Sequence, residues 1–152
     1  MQLVSPQKPT VVVNGSGVNV QDFAVLDLPK NEHGQAKASF LLIARLLGDK
    51  GVREYAEAAR IIKAKHPKVE FHLVGWIDEN PAAIAQAELD TWVAEKVVNY
   101  WGKLSDVRPA IAASSVYVLP SYREGTPRTV LEAMAMGRAI ITTDAPGCRE
   151  TV

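Results

Sequence analysis

Residues 116–137, VYVLPSYREGTPRTVLEAMAMG, join a buried strand to an amphipathic helix through a short turn. The β-branched apolar run Val116 to Leu119 predicts the strand. The helix is predicted to begin at Thr126-Pro127 and to stop before Gly137, which suits a C-terminal cap. A strand that leads directly into a helix in this way is the repeating unit of a parallel α/β sheet.

The same alternation of strand and helix extends through the rest of the chain. Short apolar runs predict buried parallel strands whose two faces are both covered by helices; they are Ser39 to Ala44, Val69 to Val74, Val97 to Trp101, Val116 to Leu119 and Ala139 to Thr143. A short extended segment at Thr10 to Val13 and a polar loop at Asp27 to Lys37 come before the first of these strands. We therefore predict a three-layer, doubly wound parallel sheet of the Rossmann-like α/β class.

Three further helices are predicted as crossovers between these strands. The first covers Val52 to Lys65 and presents an apolar face at helical spacing made of Tyr55, Ala58, Ala59 and Ile62. The second is expected to open at Asn80 as N-cap and to run to Ala94, because Pro81 follows at the first helical position. The third is expected from a cap at Ser105-Asp106 to Ala113. Ligands of such sheets bind at the carboxyl ends of the strands.

Composition limits the classes of function. The 152 residues are 47% hydrophobic, which suits one domain over residues 1–152. Lys plus Arg and Asp plus Glu both total 17, so no broad basic field is available for a nucleic acid backbone. The single Cys148 allows no internal disulfide, and the chain has neither a signal-peptide pattern nor an apolar run long enough to cross a bilayer. These features favour a cytosolic protein.

Two cations flank the end of the first sheet strand in ARLLGDKG, residues 44–51. Arg45 and Lys50 are predicted to point into the mouth of the sheet, with Gly48 and Gly51 bending the backbone between them. Together they could clamp a diphosphate, because Arg binds phosphate oxygens bidentately and Lys adds a point charge. Two solvated surface charges are the alternative.

The turn after Leu119 supplies a second candidate phosphate feature. Free backbone amides around Arg128 to Val130, at the positive end of the helix, are predicted to hold an anion. Glu124 precedes this helix and Glu132 lies in its second turn, so one carboxylate can face a sugar ring while the other reaches further along the cleft. Exposed carboxylates without a function are the alternative, which the surrounding glycine, proline and small residues disfavour.

The stretch Glu124 to Glu132 resembles the Glu-x7-Glu signature of retaining glycosyltransferases of the glycosyltransferase group 1 family, which includes bacterial polysaccharide and lipopolysaccharide enzymes. Other segments are similar to the family in the same order along the chain: Gly15-Ser16-Gly17-Val18-Asn19 with Phe23, Arg45 with Lys50, Val74-Gly75, Tyr100-Trp101-Gly102, and Thr143 to Glu150. The resemblance covers nearly the whole chain. It implies one half of a two-domain retaining glycosyltransferase that binds a nucleoside-diphosphate sugar, with a UDP-sugar preferred.

The resemblance also implies roles for individual residues. Glu124 would hold the donor sugar, Glu132 the ribose hydroxyls, and Arg45 and Lys50 the diphosphate. The remaining donor-binding residues that it implies form three groups. They are Gly17; the residues at the predicted beginning of the last helix, Gly125, Thr126, Arg128, Thr129 and Val130; and the loop expected beside the nucleotide base, Trp101, Lys103 and Leu104. No cofactor and no metal ion would be needed, because cations and a helix end stabilise the departing nucleoside diphosphate. The three histidines are scattered and no acidic pair has ligand spacing.

Some residues depart from the family pattern. Asn19 stands where Asp is common, and Arg128 is charged where many members have an apolar or small residue. Family members also have an N-terminal domain for the glycan or lipid-linked acceptor and a final helix that crosses back to it; both are expected to be missing here, so that this chain alone would be inactive. The resemblance is compatible with a full-length enzyme bound peripherally at the inner face of the membrane.

Alternative functions remain open at this level. The pair Gly15 and Gly17 suggests a dinucleotide site, but a third glycine is lacking and no helix opening follows. A non-catalytic nucleotide-sugar-binding module, or a phosphorylase or epimerase of similar architecture, fits the same residues. Trp92 is predicted to pack a helix, whereas Trp76 and Trp101 suit either a base pocket or the core.

Overall fold

All five predicted sheet strands are present in the computed structural model, which describes residues 17–152. They form one fully parallel sheet in the order β3-β2-β1-β4-β5. The strands are β1 (Ser39–Ile43), β2 (Glu70–Val74), β3 (Asn99–Tyr100), β4 (Val116–Leu119) and β5 (Ala139–Thr142). The extended segment predicted at Thr10 to Val13 lies outside the described residues.

Four helices cover the two faces of the sheet. They are α1 (Val52–Lys65), α2 (Gln86–Ala94), α3 (Arg108–Ala112) and α4 (Arg128–Ala135), with single 3₁₀ turns at Gly48–Lys50 and Arg149–Thr151. Helices α1 and α2 pack on one face and α3 and α4 on the other. The predicted three-layer, doubly wound α/β fold is therefore confirmed, and right-handed crossovers explain why the change of direction at β1 moves the helices to the opposite face.

Strand β1 is the centre of both hydrophobic cores. Leu41 and Leu42 are adjacent and both fully buried. Because neighbouring side chains of a strand point to opposite faces, Leu42 packs with α1 and α2 while Leu41 packs with α3 and α4. The apolar run of β1 therefore joins the two layers, as expected for a strand buried on both sides.

Helix α2 begins at Gln86, and the prediction that it begins at Asn80 was wrong. Residues 82–84 instead pair with the loop after β1: Gly48 donates to the carbonyl of Ala82, and the amide of Ile84 donates to the carbonyl of Leu46. The Asn80 side chain accepts from the Ala82 amide and so closes a turn. These contacts between distant segments override the local N-cap signal.

Strand β3 is shorter than the predicted Val97 to Trp101. The amides of Val97 and Val98 both donate to the carbonyl of Trp92, at 2.8 Å and 3.4 Å, and so close the end of α2. Both valines are buried without pairing in the sheet. Asn99 and Tyr100 pair with β2 in this edge strand, and the amide of Trp101 also donates to the carbonyl of Leu73 at 2.9 Å.

The apolar face of α1 is shifted by part of a turn from the prediction. Val52, Tyr55, Ala56 and Ala59 are buried, whereas Ala58 is exposed. Helix α3 also begins later than its predicted cap, although the Asp106 carboxylate accepts a hydrogen bond from the amide of Arg108, its first residue. Trp92 packs in the α1 and α2 core, as predicted.

A buried arginine anchors the segment before the sheet. The Arg138 guanidinium donates to the carbonyl oxygens of Ser114, Leu26 and Asp27, at 3.1, 2.7 and 3.2 Å. Burial lowers the pKa of Arg138. These hydrogen bonds connect the loop that precedes β1 to Ser114, which follows α3, and to Arg138 itself, which follows α4.

Gly51, which joins the 3₁₀ turn to α1, marks a close backbone contact at the carboxyl edge of the sheet. It has a φ of +70°, and a Cβ atom there would lie 2.2 Å from the carbonyl oxygen of Pro120. Gly102 has nearly the same φ, +72°, but nothing lies within 4 Å of its Cβ position. Of these two glycines, Gly51 alone combines a left-handed backbone with a close neighbour.

We expect Gly51→Ala to destabilise the protein by at least about 2 kcal/mol more than Gly102→Ala, because only the first adds a clash to the backbone strain that both share. Urea unfolding of the two variants and the wild type measures the difference. Equal losses in the two variants would show that β4 and the turn before α1 are not in close contact.

Candidate functional site

A cavity of about 430 Å³ opens at the carboxyl ends of β1, β2 and β4. It lies between the turn after β1 and the beginning of α4, at the point where the strand order reverses. The predicted site residues that line it are Arg45, Lys50, Leu104, Glu124, Thr126, Arg128 and Thr129. The residues that the resemblance implied and that do not line it are Gly17, Trp101, Lys103, Gly125, Val130 and Glu132.

Lys50 and Glu124 form an ion pair at the centre of this cavity. Lys50 Nζ lies 2.8 Å from Glu124 Oε1 and also donates to the carbonyl of Arg123 at 3.2 Å. Only 14% of the Lys50 side chain and 16% of the Glu124 side chain are exposed. Such shielding makes the pair stronger than a surface salt bridge, and Lys50 is therefore not a solvated surface charge.

Arg45 occupies the outer edge of the cavity. Its Nη1 lies 3.2 Å from Asp78 Oδ2, and 49% of its side chain is exposed. The other oxygen of Asp78 accepts the amide of Asn80 at 3.0 Å, so the carboxylate is held by the turn before α2. Arg45 is therefore directed to the cavity mouth but remains free to move there.

The beginning of α4 presents unpaired backbone amides to the cavity. Within residues 17–152, the amides of Arg128 and Thr129 form no hydrogen bond to the protein. The amide of Val130, which we also expected to be free, donates to the carbonyl of Pro127 at 3.0 Å, and its side chain is fully buried. The anion-binding capacity of this helix end therefore resides in its first two amides.

Glu132 lies one turn further along α4 and is mostly buried. Its Oε1 is 2.9 Å from Arg128 Nε, and 8% of its side chain is exposed. Burial raises the pKa of Glu132, and the nearby Arg128 guanidinium opposes that shift. A ribose could reach this carboxylate only where Arg128 gives way.

The opposite end of the cavity is apolar and suits a planar group. Val74, Gly75, Trp76, Leu104 and Val107 line it. Lys103 does not line the cavity but places its Nζ 4.7 Å above the Trp76 ring. Sequence reasoning missed Val107 and gave Trp76 no decided role.

Trp101, expected beside the base, turns toward β2 instead. Its Nε1 donates to His72 Nδ1 at 3.1 Å, and the two rings meet edge to face. The other nitrogen of His72 faces Glu70 Oε2 at 3.2 Å. His72 is thus a buried residue of β2, and its burial lowers its pKa.

Gly17 is an exposed loop residue away from the cavity. The neighbouring Gly15 and Ser16 lie outside the described residues. Over residues 17–152, no three His, Cys, Asp or Glu side chains are grouped as metal ligands. The same part of the chain contains no helix with the length and apolar character needed to span a bilayer.

Two residues that were not predicted from the sequence hold side chains of the site in position. Asp78 holds Arg45, as described above. Tyr117, in the middle of β4, is fully buried and places its hydroxyl 2.6 Å from Thr129 Oγ1. Neither carries a sequence signal, because a buried tyrosine in a strand and an aspartate in a turn are ordinary structural residues.

Every cation of the cavity is paired with a carboxylate in this structure. The pairs are Arg45 with Asp78, Lys50 with Glu124, and Arg128 with Glu132. A bound anion would have to compete with these carboxylates for the cations, whereas the amides at the beginning of α4 are available without competition. The site therefore combines two kinds of donor: backbone amides that the helix holds in place, and cationic side chains that would have to leave a carboxylate to bind an anion.

Comparison with known proteins places this geometry in a family. The family model described as "Glycosyl transferases group 1" matches residues 37–152. The chain is 36% identical, over 93% of its length, to N,N'-diacetylbacillosaminyl-diphospho-undecaprenol alpha-1,3-N-acetylgalactosaminyltransferase of Campylobacter jejuni. It is 30% identical, over 95% of its length, to UDP-Gal:alpha-D-GlcNAc-diphosphoundecaprenol alpha-1,3-galactosyltransferase of Escherichia coli.

The fold is also that of a solved domain. The C-terminal domain of the glycosyl transferase group 1 family protein LpcC from Francisella tularensis superposes with a TM-score of 0.66 at 23% identity, over 86% of this chain and 72% of that one. The chain spans about 38% of the length of the Campylobacter and Escherichia relatives. On the family match and these identities, the chain belongs to the group 1 family of glycosyl transferases.

Proposed function

We propose that this chain is the donor-binding domain of a retaining glycosyltransferase that builds a bacterial surface polysaccharide or lipid-linked glycan. The observation that carries the proposal is the cavity in which Lys50, Arg45 and the free amides of α4 surround one space beside Glu124. Two cations and a helix end are suited to a diphosphate, and a carboxylate beside them is suited to sugar hydroxyls.

In this proposal the donor is a nucleoside-diphosphate sugar, with a UDP-sugar preferred. The printed name of the Escherichia coli relative includes UDP-Gal, which supports that choice. The apolar end of the cavity at Trp76 and Leu104 would receive the base. The diphosphate would lie against Lys50 and the amides of Arg128 and Thr129.

The departing nucleoside diphosphate gains negative charge as the bond to the sugar breaks. The α4 amides would stabilise that charge because they are fixed in place before the reaction, and Lys50 and Arg45 would add to it once they exchange their carboxylate partners for phosphate. We propose that this replaces a metal ion. Retention of the sugar configuration belongs to the same proposal, with the acceptor attacking the face that the nucleotide leaves; NMR analysis of the product of the full-length protein distinguishes it from inversion.

The acceptor site and the cellular setting also belong to the proposal. A glycan or lipid-linked acceptor would be bound mainly by an N-terminal domain of the full-length enzyme, in the cytoplasm or at the inner face of the membrane. The Campylobacter and Escherichia relatives are named for diphospho-undecaprenol-linked substrates, which supports a lipid-linked acceptor. This chain alone is then expected to bind donor without transferring sugar.

We expect the chain to bind a nucleoside diphosphate with an affinity between micromolar and millimolar, about −8 to −4 kcal/mol. The affinity is expected to be modest because only the donor-binding domain contributes contacts, without the proposed N-terminal domain opposite it. Titration calorimetry with UDP, GDP and ADP measures it. Addition of magnesium is expected to change the affinity little. Failure of all three nucleotides to bind would contradict the donor-domain proposal.

Arg45→Ala and Lys50→Ala are each expected to weaken nucleoside diphosphate binding by about 1.5 to 3 kcal/mol, as expected for charge-assisted contacts. Arg53→Ala is the matched control. Arg53 is exposed by 49%, as is Arg45, and pairs with Glu88, but it does not line the cavity. If the Arg45 and Lys50 variants bind nucleotide as the Arg53 variant does, the two cations do not bind the diphosphate.

Glu132→Gln is expected to weaken the binding of free UDP by about 1.5 to 3 kcal/mol, because the carboxylate would accept both ribose hydroxyls. Glu124→Gln should leave free UDP affinity nearly unchanged and instead lower turnover in the full-length enzyme, because Glu124 would face the sugar. Calorimetry on both variants decides the assignment. A larger loss of UDP affinity for Glu124→Gln would reverse the two roles.

The stability of the Glu132 variant is the control for that comparison. Burial raises the pKa of Glu132, so the folded protein disfavours its charged form. Stability is lost as the pH rises through the range between the ordinary carboxyl pKa and the raised one, and at neutral pH the ionised carboxylate carries the full penalty. The uncharged amide avoids that penalty. Weaker UDP binding together with an unchanged or higher urea midpoint therefore identifies a binding defect, not unfolding.

A further inference from the structure

We propose that Tyr117 is a positioning residue of the donor site, whose buried hydroxyl orients the Thr129 hydroxyl to donate a hydrogen bond to a phosphate oxygen of the nucleotide. The inference rests on the proposed donor-binding function. It adds a residue from the interior of the sheet to a site otherwise made of loop and helix-end groups.

The geometry connects Tyr117 to the cavity through one atom. Tyr117 lies in the middle of β4 and is fully buried. Its hydroxyl oxygen is 2.6 Å from Thr129 Oγ1 and 3.2 Å from the carbonyl oxygen of Ile43. Thr129 is the second residue of α4 and lines the cavity beside the free amides. Tyr117 itself does not line it.

The protons of the two hydroxyls allow two arrangements. The carbonyl of Ile43 only accepts, whereas each hydroxyl donates one proton and accepts others. If Tyr117 donates to Ile43, Thr129 donates to Tyr117 and turns only lone pairs toward the cavity. If Tyr117 donates to Thr129, the Thr129 proton is free to point into the cavity. Both arrangements contain the 2.6 Å contact between the two hydroxyls, and an anion in the cavity selects the second because only that one turns a proton toward it.

The Tyr117 hydroxyl stays a donor across the physiological pH range. Burial raises the pKa of Tyr117 well above its ordinary value, and its hydrogen bonds to Thr129 and Ile43 oppose the shift. Glu124 and Glu132 add smaller contributions that raise it further. A proton that cannot leave the phenol is available to fix the Thr129 hydroxyl at any pH at which the protein works.

The hydroxyl of a second buried tyrosine, Tyr55, makes a hydrogen bond with a purely structural role. Tyr55 packs in the opposite core and donates to the backbone carbonyl of His72 at 3.0 Å. Its hydrogen bond ends in the sheet, with no group of the cavity beyond it. Tyr117 differs because one of its two partners is a hydroxyl at the helix end that faces the cavity.

The test is a double-mutant cycle on the chain with Tyr117→Phe, Thr129→Val and the two combined, and with Tyr55→Phe as the matched control. The probe is UDP, GDP or ADP, whichever binds the wild type most tightly, and its parent nucleoside is the second probe. Calorimetry measures affinity, and thermal melting verifies that each variant is folded.

Thr129→Val is expected to weaken diphosphate binding about tenfold, and Tyr117→Phe about threefold to tenfold. The combined variant should bind no more weakly than Thr129→Val, within about twofold, because both changes remove the same donated hydrogen bond. Binding of the parent nucleoside, and diphosphate binding by Tyr55→Phe, should each change by less than about twofold.

Three results would overturn the inference. One is normal diphosphate affinity in the Tyr117→Phe variant. Another is that Tyr117→Phe weakens diphosphate binding equally in the wild type and in the Thr129→Val background. The third is an equal loss for the nucleoside that lacks phosphate, which would reveal a general packing defect. A wild-type chain that binds no nucleotide removes the proposed function as well, whereas the first three results leave that function standing.

Discussion

The adjacency of β1 and β4 is the constraint on which the rest of the structure depends. The chain leaves β1 toward one edge of the sheet and returns at β4 toward the other, so α1 and α4 cover opposite faces. The crevice between their first turns is where ligands of doubly wound sheets bind. It brings Lys50 within 2.8 Å of Glu124, although 74 positions separate them in the chain. Because Gly51 has no side chain, the backbone at Pro120 can lie close to the turn that carries Lys50.

The charges of this crevice balance one another before any ligand arrives. Burying Lys50 or Glu124 alone would be unfavourable, and each stabilises the other. In the donor site proposed above, a phosphate would take over the cations, and the freed carboxylates would receive hydroxyl groups. Glu132 fits this view, since a carboxylate whose burial raises its pKa is kept at a cost in stability.

Much of the fold could be predicted from the sequence because local and tertiary signals agree there. The apolar runs of the five strands and the bounds of α1 are such cases, and the Glu124 to Glu132 stretch was sufficient to indicate the family. The beginning of α2 could not be predicted, because residues 82–84 pair with the loop after β1. Nor could the buried roles of Arg138 and Tyr117, or the direction of Trp101, which depend on partners distant in the chain.

In the proposed donor site, an anion of the donor binds at the first amides of α4, between that helix and the turn after β1. Amide NMR spectra of the chain recorded during addition of UDP test it most directly. We expect the largest shift changes to fall on Arg128 and Thr129, with smaller ones at Lys50 and Gly125. Changes concentrated on the loop that an antiparallel bridge between Lys30 and Ala36 closes, or on the exposed face of α1, with the α4 amides unmoved, would contradict it.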